Sequence, residues 1–330
     1  MRFGLPKGSL NTKGRANTYE IFIDAGYDII GYEPGNESDK SLSILNDPRV
    51  LPFLTRPQTT SLELSKGLLD IAIIGEDWVK EENCPNVIRI GDLEYGKTRL
   101  IVAVPSTAQY KSLSDFFTIQ CNRVQYNRKK PILCFTEYIN LTRQKFMENK
   151  GYQRIFGDKR PLVQVRGLVN GENNLVQIIN SDGITEGFIR KGVSIIVDNT
   201  QTGKTLKNEY NLKELEQIME SSAGLYAGPT CTEWKREKAI EIFEQLYGAI
   251  AGKRYFDIKF NVQNKYLKLV RRYLIEERLC SDEPTITQGE NYAAINVLIL
   301  RERFPLILAT LKRDFKASAI VRNEVKQFIR

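Results

Sequence analysis

Four apolar stretches that do not alternate with polar residues constrain this chain most: "DIAIIG" (Asp70–Gly75), "RLIVAVP" (Arg99–Pro105), "PILCFTEY" (Pro131–Tyr138) and "SIIVD" (Ser194–Asp198). Successive side chains of a strand point to opposite faces, so a run without alternation is apolar on both and must be covered on both. "RFGLP" near the N-terminus reads as a further short strand. Between the strands lie segments with helical spacing. They are "RANTYEIFIDAGY", closed by Gly26; residues 62–69; and "NLTRQKFMENKGY", with Gly151 as its stop. Strand–helix alternation of this kind predicts a parallel α/β sheet with helices on both sides.

The pattern changes near Thr232. "TEWKREKAIEIFEQLYGAIAG" predicts an amphipathic connecting helix that ends at Gly252. After it come "YFDIKFNV", a helix through "KYLKLVRRYLIEE", "PTITQ", "YAAINVLIL", a helix through "ERFPLILATLKRDF", and "SAIVRNEV". That order, β-α-β-β-α-β, is a ferredoxin-like unit, with Pro305 early in its second helix, where proline is tolerated. Such units commonly sense small ligands, although a fold by itself does not establish a function.

Composition excludes more than it proposes. At 330 residues, 42% apolar and 27% charged, the chain suits a globular protein of two or three domains. No run approaches the ~18 apolar residues of a membrane helix, and "MRFGLPKGSL" lacks the apolar core of a secretory signal. We therefore expect a cytoplasmic protein without a membrane partner. The cysteines Cys84, Cys121, Cys134, Cys231 and Cys280 are widely spaced and form no C-x-x-C pair, so they read as reduced thiols. A net charge of +8 suits handling of polyanionic small molecules, while basic residues dispersed among acids argue against nucleic acid. Histidine is absent altogether. That removes Ser-His and Cys-His nucleophile systems and histidine-based metal sites, leaving Asp, Glu, Lys and Tyr for any acid–base work.

"SIIVDNTQTGKTL" (Ser194–Leu206) reads as strand, tight loop and helix start. Its Gly-Lys-Thr invites comparison with a P-loop, but that loop needs glycine where Asp198 stands, and a carboxylate there would face a triphosphate. A side chain at the carboxyl end of a parallel strand points into the crevice where α/β sheets bind ligands. The following Asn199, Thr200, Gln201, Thr202, Gly203, Lys204 and Thr205 offer successive amides and hydroxyls, a nest for one phosphate group. Asp198 on vicinal ribose hydroxyls, with the loop on a 5′-phosphate, describes a holder for ribose 5-phosphate; a plain strand–turn–helix is the alternative.

Other blocks accompany this loop in order: "LPKGSL", "DPRVLPFLTRPQTTSLELSKGLLDIAIIGEDWV", "YGKTRLIVAVP", "TEYINLTRQKF" and "IMESSA". Together they resemble ATP phosphoribosyltransferase, in its long form, along nearly the whole chain. The resemblance implies a two-lobed catalytic core like that of periplasmic solute-binding proteins, followed by a regulatory ferredoxin-like domain that binds the inhibitor histidine. The implied domains are a first lobe of residues 1–104 and 207–235, a second lobe of 105–206, a linker helix at 236–252 and the regulatory domain at 253–330. It also implies transfer of a phosphoribosyl group from phosphoribosyl pyrophosphate to N1 of ATP, Mg²⁺ carried on substrate phosphates, and a homo-oligomer, dimeric or hexameric.

By the same resemblance, Asp198, Lys7, Arg56 and Glu186 would carry the catalytic work, with Asp198 on the ribose hydroxyls and Glu186 approaching the ribose. Lys7, Gly8 and Ser9 would face pyrophosphate or nucleotide phosphates, and Arg56 and Arg99 would add cationic contacts. Gly75, Glu76 and Asp77 would border the nucleotide, with Glu137 and Tyr138 across the cleft. Blander readings stand beside these: surface ion pairs for Arg56 and Arg99, a helix N-terminal pair for Glu76 and Asp77, packing for Tyr138, and a structural strand for "IMESSA". The sequence departs from the family at Ser9, where many members have arginine, and just before Asp198. It departs again over residues 166–186, part of which reads as an extra polar loop. Those departures keep two alternatives in view, a different heterocyclic acceptor and a non-catalytic binding or regulatory paralogue.

Overall fold

A computed structural model of the chain describes residues 1–13, 17–38, 40–126, 130–183, 185–276, 280 and 283–327. The elements run in this order: β1 (Arg2–Pro6), α1 (Thr18–Asp24), β2 (Ile29–Ile30), β3 (Ser43–Ile44), β4 (Leu51–Thr55), α2 (Pro57–Ser65), β5 (Ile71–Gly75), α3 (Glu76–Glu82) and β6 (Ile88–Pro105). There follow α4 (Leu113–Tyr126), β7 (Ile132–Thr136), α5 (Ile139–Glu148), α6 (Lys150–Phe156), β8 (Pro161–Val165), β9 (Leu168–Asn170) and β10 (Asn173–Asn180). The remainder is β11 (Ile195–Thr200), α7 (Lys204–Tyr210), β12 (Leu212–Ala227), α8 (Trp234–Gly252), β13 (Tyr255–Gln263), α9 (Leu267–Glu276), β14 (Thr285–Gln288), β15 (Tyr292–Leu300), α10 (Phe304–Arg313) and β16 (Ser318–Glu324).

The chain divides into two units, Met1–Ala16 with Arg49–Arg236, and Asn17–Pro48 with Glu237–Arg330. The first holds a ten-stranded sheet in the order β4-β1-β5-β12-β6-β11-β7-β10-β8-β9. Parallel pairs lie toward its two ends (β1 with β4 and β5; β7 with β10 and β11). The 18-residue β6 and the 16-residue β12 run antiparallel through the middle and join the two lobes. The expected two-lobed α/β core with crossing strands is thus present. The unalternating apolar runs find cover on both faces: Leu100, Val102 and Val104 of β6 and Ile195 and Val197 of β11 enter one core, Ile101, Ala103 and Ile196 the other.

Several local expectations shift. The helix expected at 62–69 is α2, which begins at Pro57, a residue pre-set for the first helical turn, and ends at Ser65. Gly151 does not stop a helix. Asn149 breaks it, its side chain capping the amides of Gly151 and Tyr152 at 2.9 and 3.2 Å, and Gly151 lies within α6. A Cβ on Gly151 would come within 2.5 Å of Ser114 Cα, so the glycine serves close approach of α6 to α4. Residues 166–186, part of which reads as an extra polar loop, carry two strands: β9 forms a hairpin with β8 through a two-residue turn, Arg166-Gly167, with φ of 45° and 90°, and β10 adds a strand beside β7. Arg15 and Ala16 of the predicted first helix and Glu277 of a later one lie outside the described residues.

In the second unit, β13, β15, β14 and β16 make an antiparallel sheet in the order β14-β15-β13-β16, with α9 and α10 returning over it, as the β-α-β-β-α-β reading requires. Residues Asn17–Pro48, which sequence order assigns to the first lobe, group here because α8 gathers them. Lys238 lies 2.6 Å from Asp47, Lys253 lies 2.7 Å from Asp24, and the Tyr27 hydroxyl donates to Gln245. No helix among the described residues is long and apolar enough to cross a membrane.

One buried carboxylate ties the first strand to the end of the first unit. Asp70, 1% exposed, accepts from the Arg2 amide (2.7 Å), Thr230 Oγ1 (2.7 Å) and Lys235 Nζ (2.9 Å). Burial alone would raise its pKa, but Lys235, Thr230 and Arg2 hold it well below the ordinary carboxylate range. A depressed folded pKa stabilises above the ordinary value near 3.9 and is lost as pH falls toward the folded one. Asp70→Ala should therefore cost about 2–3 kcal/mol in urea titrations at pH 7, because the part-exposed Lys235 ammonium, the Arg2 amide and Thr230 all lose their acceptor. The gap to wild type should narrow below pH ~4.

Candidate functional site

At the carboxyl end of β11 the chain turns sharply into α7, and Gly203, at φ 70°, makes the turn sterically free. The loop is braced by its own side chains: the Gly203 amide donates to Thr200 Oγ1 at 2.9 Å, the Lys204 amide to Thr202 Oγ1 at 3.4 Å. Asp198 sits half-buried before it, its carboxylate accepting from the Asn199 amide at 2.8 Å. A cavity of about 260 Å³ opens over this loop, lined by Asn199, Thr200, Gln201, Thr202 and Thr205 with Ser9, Gly75, Asp77, Glu186 and Ser221.

The structure thus brings Ser9, Gly75, Asp77, Glu186, Asn199, Thr200, Gln201, Thr202 and Thr205 together around one cavity, which Asp198, Gly203, Lys204, Lys7, Gly8 and Arg56 do not line. Glu137 lines a neighbouring cavity of about 370 Å³ with Trp78, Arg143 and Asp182. Arg99 borders a third with Glu76 and Gln201, but its guanidinium already holds both oxygens of Glu214 at 2.9 Å and Gln217 at 3.1 Å. Glu76 stands with Asp77 in the first turn of α3, the helix-terminal arrangement open from the sequence, and pairs with Lys80 at 2.8 Å. Lys7 directly follows β1, Gly8 comes next at φ 83°, and the Arg56 carbonyl anchors the first turn of α2. Lys7, Arg56 and Lys204 form no ion pair among the described residues.

Tyr138 and Asp77 meet inside the fold. Tyr138 is 1% exposed, its ring 4.6 Å from that of Trp78, so no face is open for a base to stack on. Its hydroxyl donates to Asp77 Oδ2 at 2.7 Å and accepts from Asn199 Nδ2 at 2.8 Å. The other carboxylate oxygen of Asp77 accepts from Ser221 Oγ at 2.8 Å, and Ser221 Oγ accepts the Asp77 amide at 3.1 Å. Gly75 permits this arrangement: a Cβ there would sit 2.3 Å from Asp77 Oδ1. Ser221 is the residue that sequence reasoning missed. "IMESSA" is indeed a structural strand, part of β12, and the one available signal was its place among the ordered blocks.

Electrostatically the cleft is acid-rich. Burial, then repulsion from Glu186, raises the Asp198 pKa to about 7, against the Asn199 amide, and Glu137 adds to the rise. Glu137 is raised as well, by burial and by Asp182 and Glu186, although Gln58 hydrogen-bonds to it. Among the described residues no group of three or more His, Cys, Asp or Glu is arranged to hold a metal ion.

A raised carboxyl pKa gives stability that is full below the unfolded value and lost as pH rises through the folded one. Asp198→Asn should therefore melt increasingly above wild type from pH 4 to pH ~7, with a constant difference beyond. A gap that does not change with pH in scanning calorimetry would contradict the assignment.

A sequence model of ATP phosphoribosyltransferase matches residues 56–248. The ATP phosphoribosyltransferase of Pelotomaculum thermopropionicum is 29% identical over 322 residues, 95% of this chain and 94% of that one. That of Thermodesulfovibrio yellowstonii is 27% identical over 339 residues, covering 100% and 98%. Among solved structures, the ATP phosphoribosyl transferase (HisG:HisZ) complex from Thermotoga maritima superposes with a TM-score of 0.51 at 22% identity, over 76% of this chain and 98% of that one, a likeness of fold.

Proposed function

The chain belongs to the ATP phosphoribosyltransferase family, and on that footing we propose that it catalyses the first step of histidine biosynthesis. In that step the 5-phosphoribosyl group of phosphoribosyl pyrophosphate passes to N1 of ATP, and pyrophosphate leaves. The observation that carries this reading is Asp198 in β11, two residues before the strand ends at Thr200 and leads into a braced loop of amides and hydroxyls over a cavity.

The chemistry suits these residues. Adenine N1 carries a lone pair and no proton, so its attack on C1 needs no strong general base, and a chain without histidine lacks nothing essential. The work is to hold two polyanions in line and to stabilise the departing charge. We assign Asp198, once ionised, to the ribose hydroxyls, Glu186 to the same side of the sugar, and residues 199–205 to the 5′-phosphate. Lys7, Arg56 and Lys204, without ion-pair partners among the described residues, are the cations available to pyrophosphate and nucleotide phosphates. The mutually repelling Glu137, Glu186 and Asp198 fit a substrate that brings its own divalent cation. Mg²⁺ on the substrate phosphates would supply charge neutralisation of the leaving group.

We extend the proposal to cytoplasmic location, in keeping with five cysteines that form no disulfide among the described residues, and to a homo-oligomer, in keeping with Leu51 and Phe53 standing exposed on the edge strand β4. We further assign feedback inhibition by histidine to the ferredoxin-like unit.

The test is ultraviolet detection of the phosphoribosyl-ATP adduct by the full chain with ATP, phosphoribosyl pyrophosphate and Mg²⁺, with pyrophosphatase present. Adduct that requires both substrates supports the reading. Binding of phosphoribosyl pyrophosphate without adduct, and turnover with another heterocycle, would replace ATP as acceptor. Asp198→Ala should remove turnover at unchanged secondary structure, since the ribose loses its acceptor. In the same assay the kcat/KM profile should rise through pH ~7, and Glu186→Gln should move that rise to lower pH. Millimolar histidine that leaves the rate untouched would end the regulatory assignment.

A further inference from the structure

The hydrogen-bonded chain from Ser221 through Asp77 and Tyr138 to Asn199 crosses the cleft between the two lobes of the first unit and stops one residue short of Asp198. Every bond in it has a direction. The Ser221 and Tyr138 hydroxyls donate to Asp77, and the Asn199 side-chain amide donates to the Tyr138 oxygen. A phenol that donates to a carboxylate is a better acceptor, so the buried end strengthens the bond at the exposed end. Burial first, then the Asp77 charge, push the Tyr138 phenol well above its ordinary range, which keeps the donor protonated.

The anchor is itself fixed from two points on α3. Four residues after Asp77, on the same face, Glu81 accepts the amides of Asn140 (2.7 Å) and Leu141 (2.9 Å), and its carbonyl accepts Asn140 Nδ2 (3.0 Å). Tyr138, directly before α5, is therefore held through its hydroxyl by Asp77 and through the start of its helix by Glu81. At the far end Asn199 is exposed, and its backbone amide donates to the Asp198 carboxylate.

We propose that Tyr138, anchored by Asp77 and Ser221, is a positioning residue for phosphoribosyl pyrophosphate: its hydroxyl sets Asn199, and through it the strand end carrying Asp198. It does not contact the nucleotide. The inference rests on the phosphoribosyl-transfer reading above and assigns Tyr138 and Asp77 to the donor half of the site in place of the acceptor half.

The experiment is a double-mutant cycle on the full chain, read by calorimetric titration of phosphoribosyl pyrophosphate and by steady-state kinetics with both substrates. Tyr138→Phe keeps the ring and removes both the hydrogen bond from Asn199 and the one donated to Asp77, so the Kd for phosphoribosyl pyrophosphate should rise about tenfold. The KM for ATP should change less than about twofold, since no contact with it is lost. Combined with Asn199→Ala, Tyr138→Phe should add less than about twofold, because both act through one bond. If Tyr138→Phe does not fold, Ser221→Ala takes its place, with a rise of about threefold in the same Kd and the same lack of additivity.

An unchanged Kd in folded Tyr138→Phe, full additivity, or a rise confined to the KM for ATP overturns the inference while leaving the phosphoribosyl-transfer reading standing. Wild-type protein that fails to bind phosphoribosyl pyrophosphate overturns that reading, and this inference with it.

Discussion

The Asp77 carboxylate is the constraint on which the site depends. A carboxylate 3% exposed must be met by donors on each oxygen or it costs several kcal/mol. Its donors come from distant parts of the chain, Ser221 on the crossing strand β12 and Tyr138 on the far lobe. Satisfying it therefore draws α3, β12 and α5 together. Glu81, on the next turn of α3, repeats the device on the amides of Asn140 and Leu141. The two lobes consequently meet through oriented hydrogen bonds as well as the apolar core containing Trp78 and Tyr138, and oriented bonds fix register where apolar contact alone would permit sliding.

The same lobes leave an imbalance in the cleft. Asp198, Glu186 and Glu137 repel one another, while Lys7, Arg56 and Lys204 have no ion-pair partner among the described residues. Arg99 shows the contrast: with Glu214 holding it at 2.9 Å, it serves the β6–β12 seam. Carboxyls that resist ionisation, as those of Asp198 and Glu137 do, suit a polyanion accompanied by its own cations. Preorganised groups of this kind are what a displacement at a sugar carbon requires when no base is needed.

Much of this was legible in the sequence, for definite reasons. Unalternating runs such as "DIAIIG" report burial on both faces, because that property is local to the strand. The β-α-β-β-α-β order of the C-terminal unit and the Asp198 loop are local too. What escaped was carried by long-range contacts. Gly151 looks like a helix stop, and only Ser114 across the α4–α6 contact shows why glycine is there. Residues 17–48 group with α8 through Asp24, Tyr27 and Asp47, pairings over some two hundred positions that no periodicity records. Ser221 resembles any strand serine until Asp77 is placed beside it, and Tyr138 reads as a cleft aromatic until Trp78 covers its ring.

The most direct measurement is a crystal structure of the protein with phosphoribosyl pyrophosphate. The account predicts the 5-phosphate within the 200–205 loop, the ribose hydroxyls on Asp198, and the Asp77–Tyr138–Asn199 chain intact beside them. A 5-phosphate bound elsewhere, or a ribose turned away from Asp198, would contradict it.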